Sequence, residues 1–167
     1  MGARLVLVGL PGTGKTTVAK EIALRLQLPA LDTDELVASA TGLAAPTYLR
    51  EHGEEEFRRR EYEALERALE SEGVVSTGGG VVTLEEARRA LAASPTYWLD
   101  CPDEDIVARV REGDRPLLGE DPAASLARLR ALREPWYRDV SRCRVEASGA
   151  VDEVVGRVLE ELAKASA

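Results

Sequence analysis

The run Arg4-Leu5-Val6-Leu7-Val8-Gly9-Leu10-Pro11-Gly12-Thr13-Gly14-Lys15-Thr16-Thr17 is an apolar strand feeding G-x-x-x-x-G-K-T, and Val18, Ala19, Ile22, Ala23 and Leu26 then recur at helical spacing. Strand, glycine-rich turn and helix in that order make a phosphate-binding P-loop. The glycines let the loop curl with main-chain N–H groups pointing inward, where side chains would block both the dihedrals and a polyphosphate. The helix N-terminus behind the loop adds partial positive charge. Gly12, Thr13, Gly14, Lys15, Thr16 and Thr17 are therefore the candidate nucleotide-binding residues. Lys15 is placed to reach the outer phosphates of a nucleoside triphosphate, and the Thr16 hydroxyl to take a position on Mg²⁺.

Behind the loop, β-like runs at 4–9, 28–32, 74–77, 96–100 and 142–146 alternate with helical stretches at 15–26, 34–40, 54–72, 83–93, 103–112, 122–133 and 151–164. Such alternation predicts an α/β fold, a five-stranded parallel sheet wrapped by helices. Gly73 is the expected stop of the third helix, and Pro135 of the sixth. A length of 167 residues with 44% hydrophobic content fits one domain over 1–167. No stretch has the apolar length of a membrane span, and the chain enters its first strand without a signal-peptide layout, so a cytoplasmic location is expected. Cys101 and Cys143 stand apart without C-x-x-C spacing and read as buried free thiols. His52, the single histidine, cannot build a zinc centre alone.

A net charge of −8 argues against general nucleic-acid binding, so anionic ligands must be caught by local arginines. Lys15, Lys20 and Lys164 are the only lysines; asparagine is absent and Gln27 is the only glutamine. That amide depletion fits a hot-growing source or a codon bias towards Arg and Ala equally well.

Open parallel sheets bind ligands beyond the carboxyl ends of their strands, and four places there are chemically unusual. Asp32-Thr33-Asp34 follows the second strand: its carboxylates could divide between a metal–phosphate centre and a substrate hydroxyl, or Thr33 or Asp34 could simply cap the next helix. Thr77-Gly78-Gly79-Gly80 follows the third strand and suits close approach of main-chain N–H groups to a ligand, or a plain turn. Glu54-Glu55-Glu56-Phe57-Arg58-Arg59-Arg60-Glu61 opens a helix; most of it reads as a solvated face of i, i+4 ion pairs. The segment 112–122, punctuated by Gly and Pro, reads as a mobile flap on which Arg115 could close over transferring phosphates, or as a static loop. Downstream, Arg133-Glu134-Pro135-Trp136-Tyr137 could hold an anion or cap helix carbonyls.

Taken in order, the P-loop, Asp32-Thr33-Asp34, Gly53-Glu54 with Phe57-Arg58 and Glu61, Gly78-Gly79-Gly80, Arg115-Pro116-Leu117-Leu118, and Arg133 with Pro135 and Tyr137 resemble the shikimate kinase family over almost the whole chain. The resemblance implies a P-loop kinase fold with a mobile lid at about 112–124 and a substrate-binding helical segment at about 33–61. It implies transfer of the ATP γ-phosphate to the 3-hydroxyl of shikimate, in chorismate and aromatic amino-acid biosynthesis, by a monomer. Matched residue by residue, Asp34 resembles the ligand of the substrate hydroxyls and the base, and Asp32 a support of Mg²⁺ through water. Arg58 and Arg133 match the carboxylate clamp, for which paired guanidinium groups are chemically suited. Gly78, Gly79 and Gly80 would add main-chain contacts to shikimate, Lys15 and Arg115 would stabilise the transferring phosphate, and Arg109 matches the adenine-stacking arginine. The chain departs from the family pattern in three places. The Arg109-to-Arg115 stretch is one residue shorter, Ser148-Gly149-Ala150 lacks a long polar side chain, and Trp136 replaces a more usual leucine and reads as packing.

Other classes make different demands. A kinase of another small hydroxy acid such as gluconate shares the loop and the size but has no need of the triple glycine with both Arg58 and Arg133. A nucleoside monophosphate kinase would carry base-reading elements that are not evident. A GTPase switch would carry N-K-x-D, which a chain without asparagine cannot. An ATP-dependent binding module would keep the loop and transfer nothing.

Overall fold

All four side chains of β1 (Leu5–Val8) are buried, so both faces of that strand are covered, as in a parallel sheet clothed by helices. The computed structural model describes residues 2–112 and 119–167. After β1 come α1 (Lys15–Leu26), β2 (Ala30–Asp32), α2 (Thr33–Thr41), α3 (Ala45–His52) and α4 (Glu54–Leu69). Next are β3 (Val74–Ser76), a 3₁₀ turn (Val81–Thr83), α5 (Glu85–Ala92), β4 (Thr96–Asp100), α6 (Asp103–Glu112), α7 (Pro122–Val140), β5 (Arg144–Glu146) and α8 (Val151–Ser166). The strands pair in parallel in the order β2-β3-β1-β4-β5. Because β1 lies between β3 and β4, the P-loop emerges at the centre of the sheet's carboxyl edge, beside the segment that follows β3.

Register carries that edge into the site. Ser76 of β3 is paired with Leu7 of β1 on one side and with Asp32 of β2 on the other. The main core gathers β1, β3 and β4 with Val18, Ala19, Ile22 and Ala23 of α1 and Val154, Val155 and Val158 of α8. A second, smaller core of Val37, Ala45, Tyr48, Phe57 and Ala64 holds α2, α3 and α4 together, away from the sheet.

Four local expectations change. Between α2 and α4 lies α3, which sequence periodicity misses because it is only eight residues long; Pro46 in its first turn and burial of Tyr48 support it. Helix α4 ends at Leu69, before Gly73, whose lack of a side chain instead lets the chain pass the Pro29 carbonyl, 2.7 Å from where a β-carbon would sit. Helix α7 does not stop at Pro135 but continues to Val140. The proline costs one helical hydrogen bond, and burial of Tyr137 and Val140 in the main core offsets that loss. Both cysteines are free; Cys101 is buried, with its thiol pushed up to about 11 by desolvation, whereas Cys143 is only half-buried, short of the expectation.

Candidate active site

The phosphate loop is fixed largely by its own atoms. Gly14 caps α1 with φ of 88°, a left-handed conformation that favours glycine. The Thr13 hydroxyl donates to the Leu10 carbonyl at 3.0 Å, which ties its side chain into the loop. Lys15 is almost fully buried, and its Nζ donates to the carbonyls of Gly9 and Leu10, each at 2.8 Å. The ammonium group is thus held over the loop mouth.

Asp32 joins this loop to the segment that follows β2. Its Oδ2 accepts from Thr16 Oγ1 at 2.8 Å and from Ser76 Oγ at 2.7 Å, and the second contact follows directly from strand register. Its Oδ1 accepts from the Asp34 and Glu35 amides at 2.9 and 3.3 Å, which makes Asp32 the N-cap of α2. The cap therefore belongs to neither Thr33 nor Asp34: the strand ends extended at Asp32 and the helix begins one residue later. Thr33 is buried, with its hydroxyl accepting from the Gly78 amide at 3.0 Å.

Helix α4 buries Phe57, Glu61, Ala64, Leu65 and Ala68 along one stripe. Its charged run divides as helical geometry dictates: Arg59 and Arg60 pair with Glu56 and Glu63 on the solvent side, while Arg58 turns inward and donates to Glu61 Oε2 at 2.7 Å. Burial raises the Glu61 carboxyl above its ordinary value, opposed by Arg58, raised further by Asp34 and opposed again by Arg133. The glycine run makes this crowding possible. A β-carbon on Gly78 would lie 2.6 Å from Glu61 Oε1 and 3.1 Å from Asp34 Oδ1, and one on Gly80 would collide with the Arg58 guanidinium.

One cavity of about 310 Å³ unites the two halves. Gly12, Gly14, Lys15, Thr16, Thr17, Asp32, Asp34, Arg58, Gly78, Gly79, Gly80 and Arg133 all line it. The Nε atoms of Arg58 and Arg133 are buried with no hydrogen-bond partner among the described residues, so part of each guanidinium's capacity is unused. Thr13 and Arg109 are not among the lining residues. Arg109 lies against the P-loop backbone instead, donating to the Ala147 carbonyl at 2.8 Å and to that of Gly12 at 3.4 Å. Arg115 and residues 113–118 around it lie outside the described residues. Sequence reasoning missed the apolar wall formed by Ala45, Pro46 and Leu49 of α3 with Leu129 of α7; the Ala45-Pro46 helix start was its one available signal.

Among the described residues no three His, Cys, Asp or Glu side chains cluster as a metal cage. A hydroxyl and a carboxylate side by side, Thr16 and Asp32, nevertheless fit Mg²⁺, which keeps most of its shell for water and phosphate oxygens. No helix among the described residues is long and apolar enough to cross a membrane.

Comparison with known proteins agrees with this geometry. The shikimate kinase family model matches residues 11–163. A shikimate kinase of Corynebacterium glutamicum is 39% identical over 161 residues, covering 95% of this chain and 95% of that protein. A solved shikimate kinase from Acinetobacter baumannii, in complex with shikimate, superposes with a TM-score of 0.89 at 32% identity, over 98% of this chain and 94% of that one. A gluconokinase from Sinorhizobium meliloti, covering 96% of this chain and 91% of its own, reaches a TM-score of 0.68 at 21% identity, a likeness of fold alone. With the family model matched over most of its length and its P-loop, glycine run and paired arginines lining one cavity, the chain belongs to the shikimate kinase family.

Proposed function

We infer that this protein transfers the γ-phosphoryl group of ATP to the 3-hydroxyl of shikimate, giving shikimate 3-phosphate and ADP for aromatic amino-acid biosynthesis. The observation that carries the reading is that a P-loop with Lys15 and Thr16, and two arginines with unused buried capacity, open into the same cavity as Asp34. One end suits a polyphosphate and the other a carboxylate, with a carboxylate base between them.

In this reading Arg58 and Arg133 grip the shikimate carboxylate, and Glu61 holds the Arg58 fork in place from behind. Asp34 binds the ring hydroxyls and accepts the proton of the 3-hydroxyl as its oxygen bonds to the γ-phosphorus and the bond to the β-phosphate oxygen breaks. The Gly78-Gly79-Gly80 backbone closes against the sugar-like ring, where side chains would exclude it. Lys15 moves from loop carbonyls to the phosphates and offsets charge there. Thr16 and Asp32 would hold Mg²⁺, which would supply neutralising charge for the phosphates. Arg109, on the backbone of Gly12 and close to Ala147, would flank the adenine from outside the cavity. The reading takes residues 1–167 as one kinase domain acting as a cytoplasmic monomer.

The test is a coupled ADP-release assay with Mg·ATP and, in turn, shikimate, gluconate, AMP or no acceptor. Release with shikimate alone is expected. Release with gluconate or AMP in its place would overturn the acceptor, and no release with any of them would leave a nucleotide-binding module.

A further inference from the structure

Three consecutive glycines are costly to order, yet the reading above asks this run to present its backbone to the acceptor in one conformation. Something must pin it. Tyr137 reaches it from the part of α7 that continues past Pro135: its side chain is fully buried and its hydroxyl donates to the Gly79 carbonyl, 58 positions away in the chain. A trans peptide is planar, so anchoring that carbonyl directs the Gly80 N–H to the opposite side, away from Tyr137. The phenol ring is itself seated, stacked on Trp98 of β4 with centroids 6.1 Å apart and planes 29° off parallel.

The same residue sits beside the clamp. Arg133 precedes Tyr137 by one helical turn on the same face of α7. Burial lifts the Tyr137 phenol to about 12, while the positive charge of Arg133 pulls the other way. Gly79 in turn backs onto the P-loop, since a β-carbon there would lie 2.8 Å from Pro11 Cδ. The neighbouring residue supports the same run: the Arg88 guanidinium sits 4.7 Å over the Trp136 ring and donates to the Val82 carbonyl, steadying the 3₁₀ turn that follows the glycines.

We propose that Tyr137 is a positioning residue for the acceptor, one hydroxyl that sets the Arg133 guanidinium and the Gly79–Gly80 peptide relative to each other so that shikimate meets a clamp already assembled. It touches no reacting atom and does not line the cavity. The proposal rests on the shikimate reading, and wild-type protein assayed alongside separates the two: no wild-type turnover with shikimate would sink that reading, not this one.

The experiment is steady-state kinetics of Tyr137→Phe, which keeps the ring and removes only the hydroxyl, with each substrate varied in turn. Losing the hydrogen bond that anchors the Gly79 carbonyl predicts a rise of about two- to tenfold in KM for shikimate, with KM for ATP held within about twofold. In an Arg133→Lys background the same substitution should cost clearly less than it does in the wild type, because its effect passes through Arg133. An unchanged shikimate KM, an equal rise for both substrates, or full additivity with Arg133→Lys would each overturn the proposal. Should Tyr137→Phe fail to fold, Trp98→Phe loosens the ring's seat without removing a side-chain hydrogen bond. It should give the same split at smaller size, and equal movement of both KM values would again overturn the assignment.

Discussion

The two halves of the cavity, a phosphate half and an acceptor half in the proposed reading, are built by opposite means. In the phosphate half Thr13 is held by Leu10 and Lys15 by Gly9 and Leu10, neighbours three to six positions away, and Thr16 alone of these reaches farther, to Asp32. The acceptor half assembles α2, α4, the glycine run and α7, and its ties span the chain: 45 positions from Thr33 to Gly78, and 58 from Gly79 to Tyr137. Even the apolar support differs in part: the loop is rooted in the main core, whereas α2, α3 and the first half of α4 share a small core of their own. A contiguous loop carries its function wherever a strand and a helix place it, whereas the acceptor half exists only when the whole fold is in register. The difference predicts that substitutions separate cleanly, those in the acceptor half moving shikimate and leaving ATP alone.

The largest effect belongs to Asp34→Asn. Removing the proposed base should lower kcat by about 10²- to 10⁴-fold while ATP affinity, measured by nucleotide titration, stays within about twofold. A parallel loss of ATP binding would mean that the halves are not separable at this residue. Next comes Arg133→Lys, which keeps the charge and removes the planar fork. Shikimate KM should rise about 10- to 100-fold, with ATP KM unmoved. Gly80→Ala tests the same clamp from the other side, because the new β-carbon must displace the Arg58 guanidinium. It should follow Arg133→Lys in direction and fall short of it in size, and an ATP-selective effect would contradict the comparison.

The same contrast explains what could be read from the sequence. The P-loop, all five strands and the parallel arrangement follow from a contiguous motif and period-two or buried runs. Of the acceptor half, Asp34, Arg58, Gly78, Gly79, Gly80 and Arg133 became legible only as an ordered set, since each alone has an ordinary structural use. Geometry then brought them into one cavity. What stayed hidden was set by tertiary packing. Helix α3 is too short to show a period, and α7 survives Pro135 because Tyr137 and Val140 are worth more buried than one lost hydrogen bond. The capping role of Asp32 depends on where β2 ends, which pattern reading locates only to within a residue or two.

Asp32 is the joint at which the comparison can be sharpened, because its two oxygens serve different halves. Oδ1 caps α2, the first acceptor helix, and Oδ2 takes the Thr16 and Ser76 hydroxyls beside the phosphate loop. Asparagine caps as well as aspartate, so Asp32→Asn should leave unfolding free energy within about 0.5 kcal/mol while impairing Mg·ATP turnover. Asp32→Ala loses the cap too and should cost about 1 kcal/mol more in chemical denaturation. Equal stability of the two variants would deny the cap any energetic role.

The smallest effect concerns Glu61, the buried acid behind Arg58. Its folded-state carboxyl titrates above the ordinary value of 4.5, chiefly through desolvation. Above 4.5 the unfolded chain has already released this proton while the folded protein still holds it, so the folded state binds more protons and this residue's contribution to stability falls as pH rises towards the folded value. Glu61→Gln cannot titrate and should lack that slope. The difference in unfolding free energy, wild type minus variant, should therefore decline as pH is raised from about 4.5 and level off once Glu61 is ionised in both states. Urea titrations of both proteins at matched pH measure it directly, and the other carboxylates cancel in the subtraction. A flat difference would show that Arg58 and Arg133 fully compensate burial. A rising difference would mean that the Arg58 pair outweighs desolvation and that Glu61 is held ionised for the clamp.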